Sequence, residues 1–207
     1  MIDTGFLITS FVTLFVVIDP LGLIPLFIAL TQGMTQAQRV AIGRRACVIA
    51  SILLIVFGLL GEKLLTFIGI SMPAFRIAGG ILLFLTALDM LFERRTQRRE
   101  GQQADPAHDP SVFPLAMPLI AGPGALASMI LLVGKSGPGW TGAGLVFLEA
   151  LSVIAIVFLL FQVAGPIERV LGRTGTMVIT RLLGMLLAAL SVQFVIDGIV
   201  GTGLLTS

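Results

Sequence analysis

Ionisable chemistry is scarce in this chain. Its 207 residues include one histidine and one cysteine, and only 12% are charged. A lone Cys47 excludes an internal disulfide and a cysteine metal cluster, and it reads as a small hydrophobe in packing. His108 stands in a polar stretch beside Asp109, which excludes a histidine metal site or a Ser-His triad inside an apolar segment. The paired acids of an intramembrane aspartyl protease and a Ser-Lys pair at one depth are also missing. The expectation is a protein with no catalytic residues, metal or cofactor. Gly134-Lys135-Ser136 mimics the tail of a P-loop, but Met129 stands where the first glycine is required. The low charge excludes an ordinary soluble domain, which carries about 25%. A net charge of +2, with arginines set between apolar spans, does not suggest a nucleic-acid binder. The start, Met1-Ile2-Asp3-Thr4, has no basic segment, so the first apolar stretch is expected to be a retained helix.

What is abundant is apolar sequence, 57% of the chain. A helix needs about 20 mostly apolar residues to cross a bilayer. Six segments qualify, near 5–30, 44–62, 73–92, 113–134, 143–165 and 177–200. The expected fold is therefore all-α and polytopic. Lys and Arg set the orientation. Arg39, Arg44, Arg45, Arg94, Arg95, Arg98, Arg99, Arg169 and Arg173 fall on one side, against Lys63 and Lys135 on the other. That bias puts the arginine-rich loops in the cytoplasm and both termini outside. The charged, Gln-rich stretch 93–112 reads as a flexible cytoplasmic linker between a first unit, 1–92, and a second, 113–207.

Two apolar segments carry helix breakers. The first holds Asp19-Pro20-Leu21-Gly22-Leu23-Ile24-Pro25, and the second holds Ala121-Gly122-Pro123-Gly124 after Pro114 and Pro118. Proline removes a helix hydrogen bond at a cost of about 3 kcal/mol or more. Non-helical backbone at membrane depth persists only where protein or a watery cavity covers it. The halves also resemble each other. Gly22 sets over Gly124, and Arg76, Gly79 and Thr86 set over Arg181, Gly184 and Ser191 at a constant offset of 105. Three spans per half is an odd number, so the second half must be inverted, as in secondary transporters.

Broken helices 1 and 4 would place half-helix N-termini at mid-depth, where free N–H groups suit a carboxylate, and opposed carbonyl ends, which suit an ammonium group or cation. The candidate substrate-binding residues are Asp19, Pro20, Gly22, Pro25, Ala121, Gly122, Pro123, Gly124 and Ser128. The bland alternative is a pair of proline kinks that shape packing. Asp19 before Pro20 suits an N-cap, and the same residue is a candidate for binding an ammonium group or carrying a coupling proton. Arg76 and Arg181, a turn inside their spans, either snorkel to headgroups or close gates. Gln193, like Ser128, Thr86 and Ser191, is a candidate for a polar path or for interhelical glue. Glu149, Asp197 and Asp89 read as interfacial.

These stretches resemble the MarC family of bacterial inner-membrane proteins. The resemblance rests on Asp19 to Phe27, on Pro114-Leu115-Ala116-Met117-Pro118-Leu119-Ile120-Ala121-Gly122-Pro123-Gly124-Ala125, and on Gln193-Phe194-Val195-Ile196-Asp197-Gly198-Ile199. It implies six spans in two three-helix repeats, related to exporters of the lysine-exporter type, and some relatives are described as proton-coupled transporters of small neutral amino acids. The expectation is an inner-membrane secondary transporter of a small solute, glycine, alanine or serine first. The rivals are a non-transporting scaffold or regulator of membrane complexes, and a small-solute channel. The expected partners are the lipid bilayer and the solute, with protons as a candidate co-substrate.

Overall fold

The computed structural model describes residues 4–92, 109–137 and 139–203, and helices account for most of them. Of the expected linker 93–112, residues 93–108, with His108 and four of the arginines, lie outside the described residues, as does Met1-Ile2-Asp3, while Ser111 and Val112 already belong to a helix. In chain order the helices are α1 (Thr4–Ile18), α2 (Ile24–Leu30), α3 (Gln36–Phe67), α4 (Met72–Leu91), α5 (Ser111–Ile120), α6 (Pro123–Lys135), α7 (Trp140–Gln162) and α8 (Ala164–Gly201).

Local chemistry fixes the boundaries. Thr35 opens α3 with a capping box: its hydroxyl accepts from the Gln38 N–H, and the Gln38 side chain accepts from the Thr35 N–H at 2.9 Å. Ser71 caps α4 in the same way by accepting from the Ala74 N–H, with Pro73 in the first turn. α5 is a wide helix. Leu115 N–H bonds to Pro110 O and Ala121 N–H to Ala116 O, each spanning five residues, with extended backbone at Phe113 and Met117 before two cis prolines. α8 carries a left-handed turn at Gly172, and its apolar part runs from Thr174 to Gly201.

Four helices are long and apolar enough to cross a membrane, namely α3, α4, α7 and the Thr174–Gly201 part of α8. α5 and α6, bent by 54° at their junction, make a fifth candidate span when taken together. The expected first span, 5–30, instead divides into α1 of 15 residues and α2 of 7, each too short to cross alone. α3 is far longer than the expected 44–62. Its 32 residues extend about 48 Å, well past a hydrocarbon core of about 30 Å.

The short helices occupy the centre. Leu14, Ile18, Leu23, Phe27, Leu115, Ile120, Met129 and Leu131 are fully buried. α3, α4, α7 and α8 form the wall, and they turn Ile52, Leu60, Ile81, Leu85, Leu148, Leu159, Leu182 and Leu186 outward. In oil such faces cost nothing. Packing crosses between the halves: α1 lies against α7 and α8, and α2 against α8, while α5 lies against α3 and α6 against α3 and α4. The most extensive contact joins α4 to α8. Gly80 meets Ser191 and Val195, Gly184 meets Ala87 and Met90, and Gly198 meets Ile77 and Pro73, so the two helices run antiparallel with backbones close together.

A Cβ at Gly80 would sit 2.8 Å from the Ser191 carbonyl oxygen, which cannot move aside cheaply. Gly80→Val is expected to cost about 1–3 kcal/mol, visible as a lower apparent Tm and aggregated elution in detergent. Gly144→Ala, whose Cβ meets open space, is the control, expected to hold or raise the Tm.

Candidate functional site

α1 ends at Ile18, and Asp19 follows in the left-handed region, φ 56°, which makes it the one non-glycine residue with positive φ among those described. Asp tolerates this conformation because its short side chain bonds locally. Here Oδ1 accepts the Gly22 N–H at 3.1 Å, and the Thr180 hydroxyl from α8 stands 3.5 Å from the same oxygen. Asp19 is only 1% exposed. Asp19 is not the expected helix N-cap: α2 starts at Ile24 after Leu23, with no side-chain cap, and Asp19 instead closes the local turn at Gly22. Only glycine fits at position 22, because a Cβ would collide with the Asp19 carboxylate. Pro20 is buried, and Pro25 lies half-buried in the first turn of α2.

The second break is built from backbone alone. Ala121 turns the chain at φ −90°, ψ 58°, Gly122 is the extended N-cap of α6, and Pro123 fills its first position. No side chain caps α6. A Cβ on Gly122 would strike the Pro118 carbonyl oxygen. Ser128, fully buried, donates to the Gly124 carbonyl at 2.8 Å. Thr86 and Ser191 likewise donate to carbonyls of their own helices.

The two breaks meet. The Cβ position of Gly124 lies 3.3 Å from Val17, two residues before Asp19, and 3.5 Å from Leu83 and Thr86 of α4. The contact joins Val17 to Gly124; Asp19, Pro20, Ala121, Gly124 and Ser128 are buried, Gly22 and Gly122 are half-buried, and Pro123 is exposed. Within α2, Phe27 stacks on Phe161 at 4.1 Å with the Arg39 guanidinium 5.6 Å from its ring centroid.

The gating candidates lie apart from this centre. Gln193 donates to Asp197 at 2.7 Å, and Lys135 pairs with the other Asp197 oxygen at 2.6 Å, so α6 is tied to α8. Arg76 adds its positive charge to this cluster. Arg181 sits toward the opposite end of α8, exposed. Near that end Arg45 pairs with Asp109 at 2.9 Å. The Ser111 backbone N–H first, and Arg45 after it, hold the Asp109 carboxyl below its usual range.

Two partners escaped the sequence reading. Lys135 belongs to a discarded motif and finds Asp197 only through the fold. A span starting at 143 makes Glu149 interfacial. The helix starts at Trp140, so Glu149 is nine residues in, bonded to the buried Ser10 of α1.

This arrangement defines a multi-pass helical membrane protein with interrupted central helices. Residues 4–202 match the family described as MarC family integral membrane protein. A "UPF0056 membrane protein" of Archaeoglobus fulgidus is 40% identical over 94% of this chain and 92% of its own. YvbG of Bacillus subtilis is 37% identical over 97% and 94%, and YhcE of Escherichia coli 37% over 92% and 90%; both carry the same UPF0056 name. No solved structure matches. The chain belongs to the MarC family, whose members occur in bacteria and archaea.

Asp19→Asn is expected to keep the fold, since its amide oxygen still accepts from Gly22 and Asn tolerates positive φ. Asp19→Leu strands that N–H and strains the backbone, for an expected loss of about 2–4 kcal/mol. Thermal unfolding of the two variants in detergent, compared with the parent, measures the difference.

Proposed function

We propose that this protein is a secondary transporter of a small solute, a small neutral amino acid by preference, bound at mid-membrane between the two breaks. The reading is carried by one observation: two interrupted helices from different parts of the chain abut through Val17 and Gly124. Unwound backbone at that depth offers N–H and C=O groups to a zwitterion, with the α6 N-terminus uncapped by any side chain. The small residues Ala121, Gly122, Gly124 and Ala125 suit a small solute rather than a bulky one.

In this reading α1 and α2 together form the first crossing, giving six spans as two inverted three-helix repeats. The exchanged packing supports it, since each interrupted helix lies against long helices of the other half. So does the antiparallel α4–α8 seam, which joins helices with matching Arg76 and Arg181. Both termini then lie outside the plasma membrane, the inner membrane in a bacterium with two, and the arginine-rich ends face the cytoplasm. The repeats would rock about the site, with Phe27–Phe161 and Lys135–Asp197 as the contacts that part on opposite sides. No catalysis is assigned.

The tight burial of Asp19, Ala121 and Ser128 favours one second reading, a non-transporting scaffold. Proteoliposomes loaded with unlabelled glycine, alanine or serine separate the two. Counterflow of the labelled solute is expected, and Gly124→Ala, whose Cβ meets Val17 at 3.3 Å and Leu83 and Thr86 at 3.5 Å, is expected to reduce it while keeping the folded yield. Absence of counterflow across a broad amino-acid panel would leave the scaffold.

A further inference from the structure

We propose that Glu149 is a proton-carrying site: its carboxyl donates a proton to the Ser10 hydroxyl and gives that proton up in the transport cycle. The coupling rests on the transport reading above. The proton site itself rests on hydrogen-bond arithmetic.

Ser10 Oγ lies 3.0 Å from the Leu7 carbonyl oxygen and is hydrogen-bonded to Glu149 Oε2. A hydroxyl has one proton to donate, while a carbonyl and an ionised carboxylate only accept. With Glu149 ionised, one of these two contacts is oxygen against oxygen. With Glu149 protonated, Oε2–H donates to Ser10 Oγ, and the Ser10 O–H donates to Leu7 O. Both contacts are then satisfied. On release the proton passes to water, the carboxylate remains, and the Ser10 O–H turns from Leu7 to Glu149. One side chain thus serves both states.

The surroundings supply no alternative neutraliser. Among the described residues α1 and α2 carry no charged side chain, and α6 carries Lys135, which Asp197 engages. α3 runs antiparallel to α7, since Gly58 meets Phe147 and Gly43 meets Phe161. Apolar Ile55 and Val56 are therefore level with Glu149, and Glu62 and Lys63 lie about 10 Å farther along. Glu168 and Arg169 of α8 follow the far end of α7, about 20 Å of helix away. Arg181 lies toward the C-terminal end of α4. An unpaired charge in such a place is expensive, and a proton removes it. Glu149 itself is half-buried. Asp19 differs, because the Gly22 N–H and the Thr180 hydroxyl face its carboxylate as donors.

Infrared difference spectroscopy of the purified protein in lipid tests the site without any substrate. A protonated-acid carbonyl band is expected that is absent in Glu149→Gln, shifts in Ser10→Ala and fades as pH rises. No difference between parent and Glu149→Gln, or a band that never titrates, overturns the proposal. In proteoliposomes Glu149→Gln, whose amide still donates to Ser10, is expected to keep counterflow and lose accumulation driven by a pH gradient. Gradient-driven uptake that survives in Glu149→Gln overturns the coupling and leaves transport standing. A parent protein with no counterflow removes transport and the coupling with it, while the infrared titration still decides the proton site.

Discussion

A peptide N–H released from a helix in hydrocarbon has no water to turn to, and each such group left unmet costs several kcal/mol. This chain releases backbone twice, and each time the bonding is made good within a few residues. Asp19 bends back to accept from Gly22. The Ala121 N–H reaches five residues back to Ala116. Pro20 and Pro123 stand where an N–H would otherwise go unmet. The long helices complete the arrangement by packing around both breaks.

That covering explains the exchanged packing. α1 and α6 are too short to bury themselves, and eight of the thirteen residues of α6 are buried. Each interrupted helix borrows a wall from the other half. Close approach is made possible by glycine at the seams: Gly43 admits the Phe27–Phe161 stack, Gly58 admits Phe147, and Gly79 admits Leu131. Two ion pairs, Lys135–Asp197 and Arg45–Asp109, tie the helices near opposite ends. The exposed pair is worth little, at most about 1 kcal/mol.

Hydropathy made the membrane class, the apolar segments and both breaks legible, because each is a local property of composition. Asp19-Pro20 marked the break, but not that α2 would start only at Ile24, which leaves Asp19 outside any helix cap. The wide turns of α5 were not legible, since the pattern of apolar residues does not distinguish five-residue from four-residue hydrogen bonds. The overhang of α3 was missed because Arg39, Arg44 and Arg45 read as loop, whereas Thr35 and Gln38 start the helix before them. The meeting of Val17 with Gly124, of Lys135 with Asp197 and of Ser10 with Glu149 spans more than 60 residues each time. No periodicity within a segment records which segments touch.

The antiparallel seam between α4 and α8 has a mechanical consequence. Its close contacts are spread along both helices, from Gly198 beside Pro73 to Gly184 beside Met90, and its midpoint falls near Ile81 and Ser191. A lever hinged at its midpoint has arms of equal length. Any swivel about that fulcrum that spreads the helices at one face must draw them together at the other, so the two faces cannot gape at once.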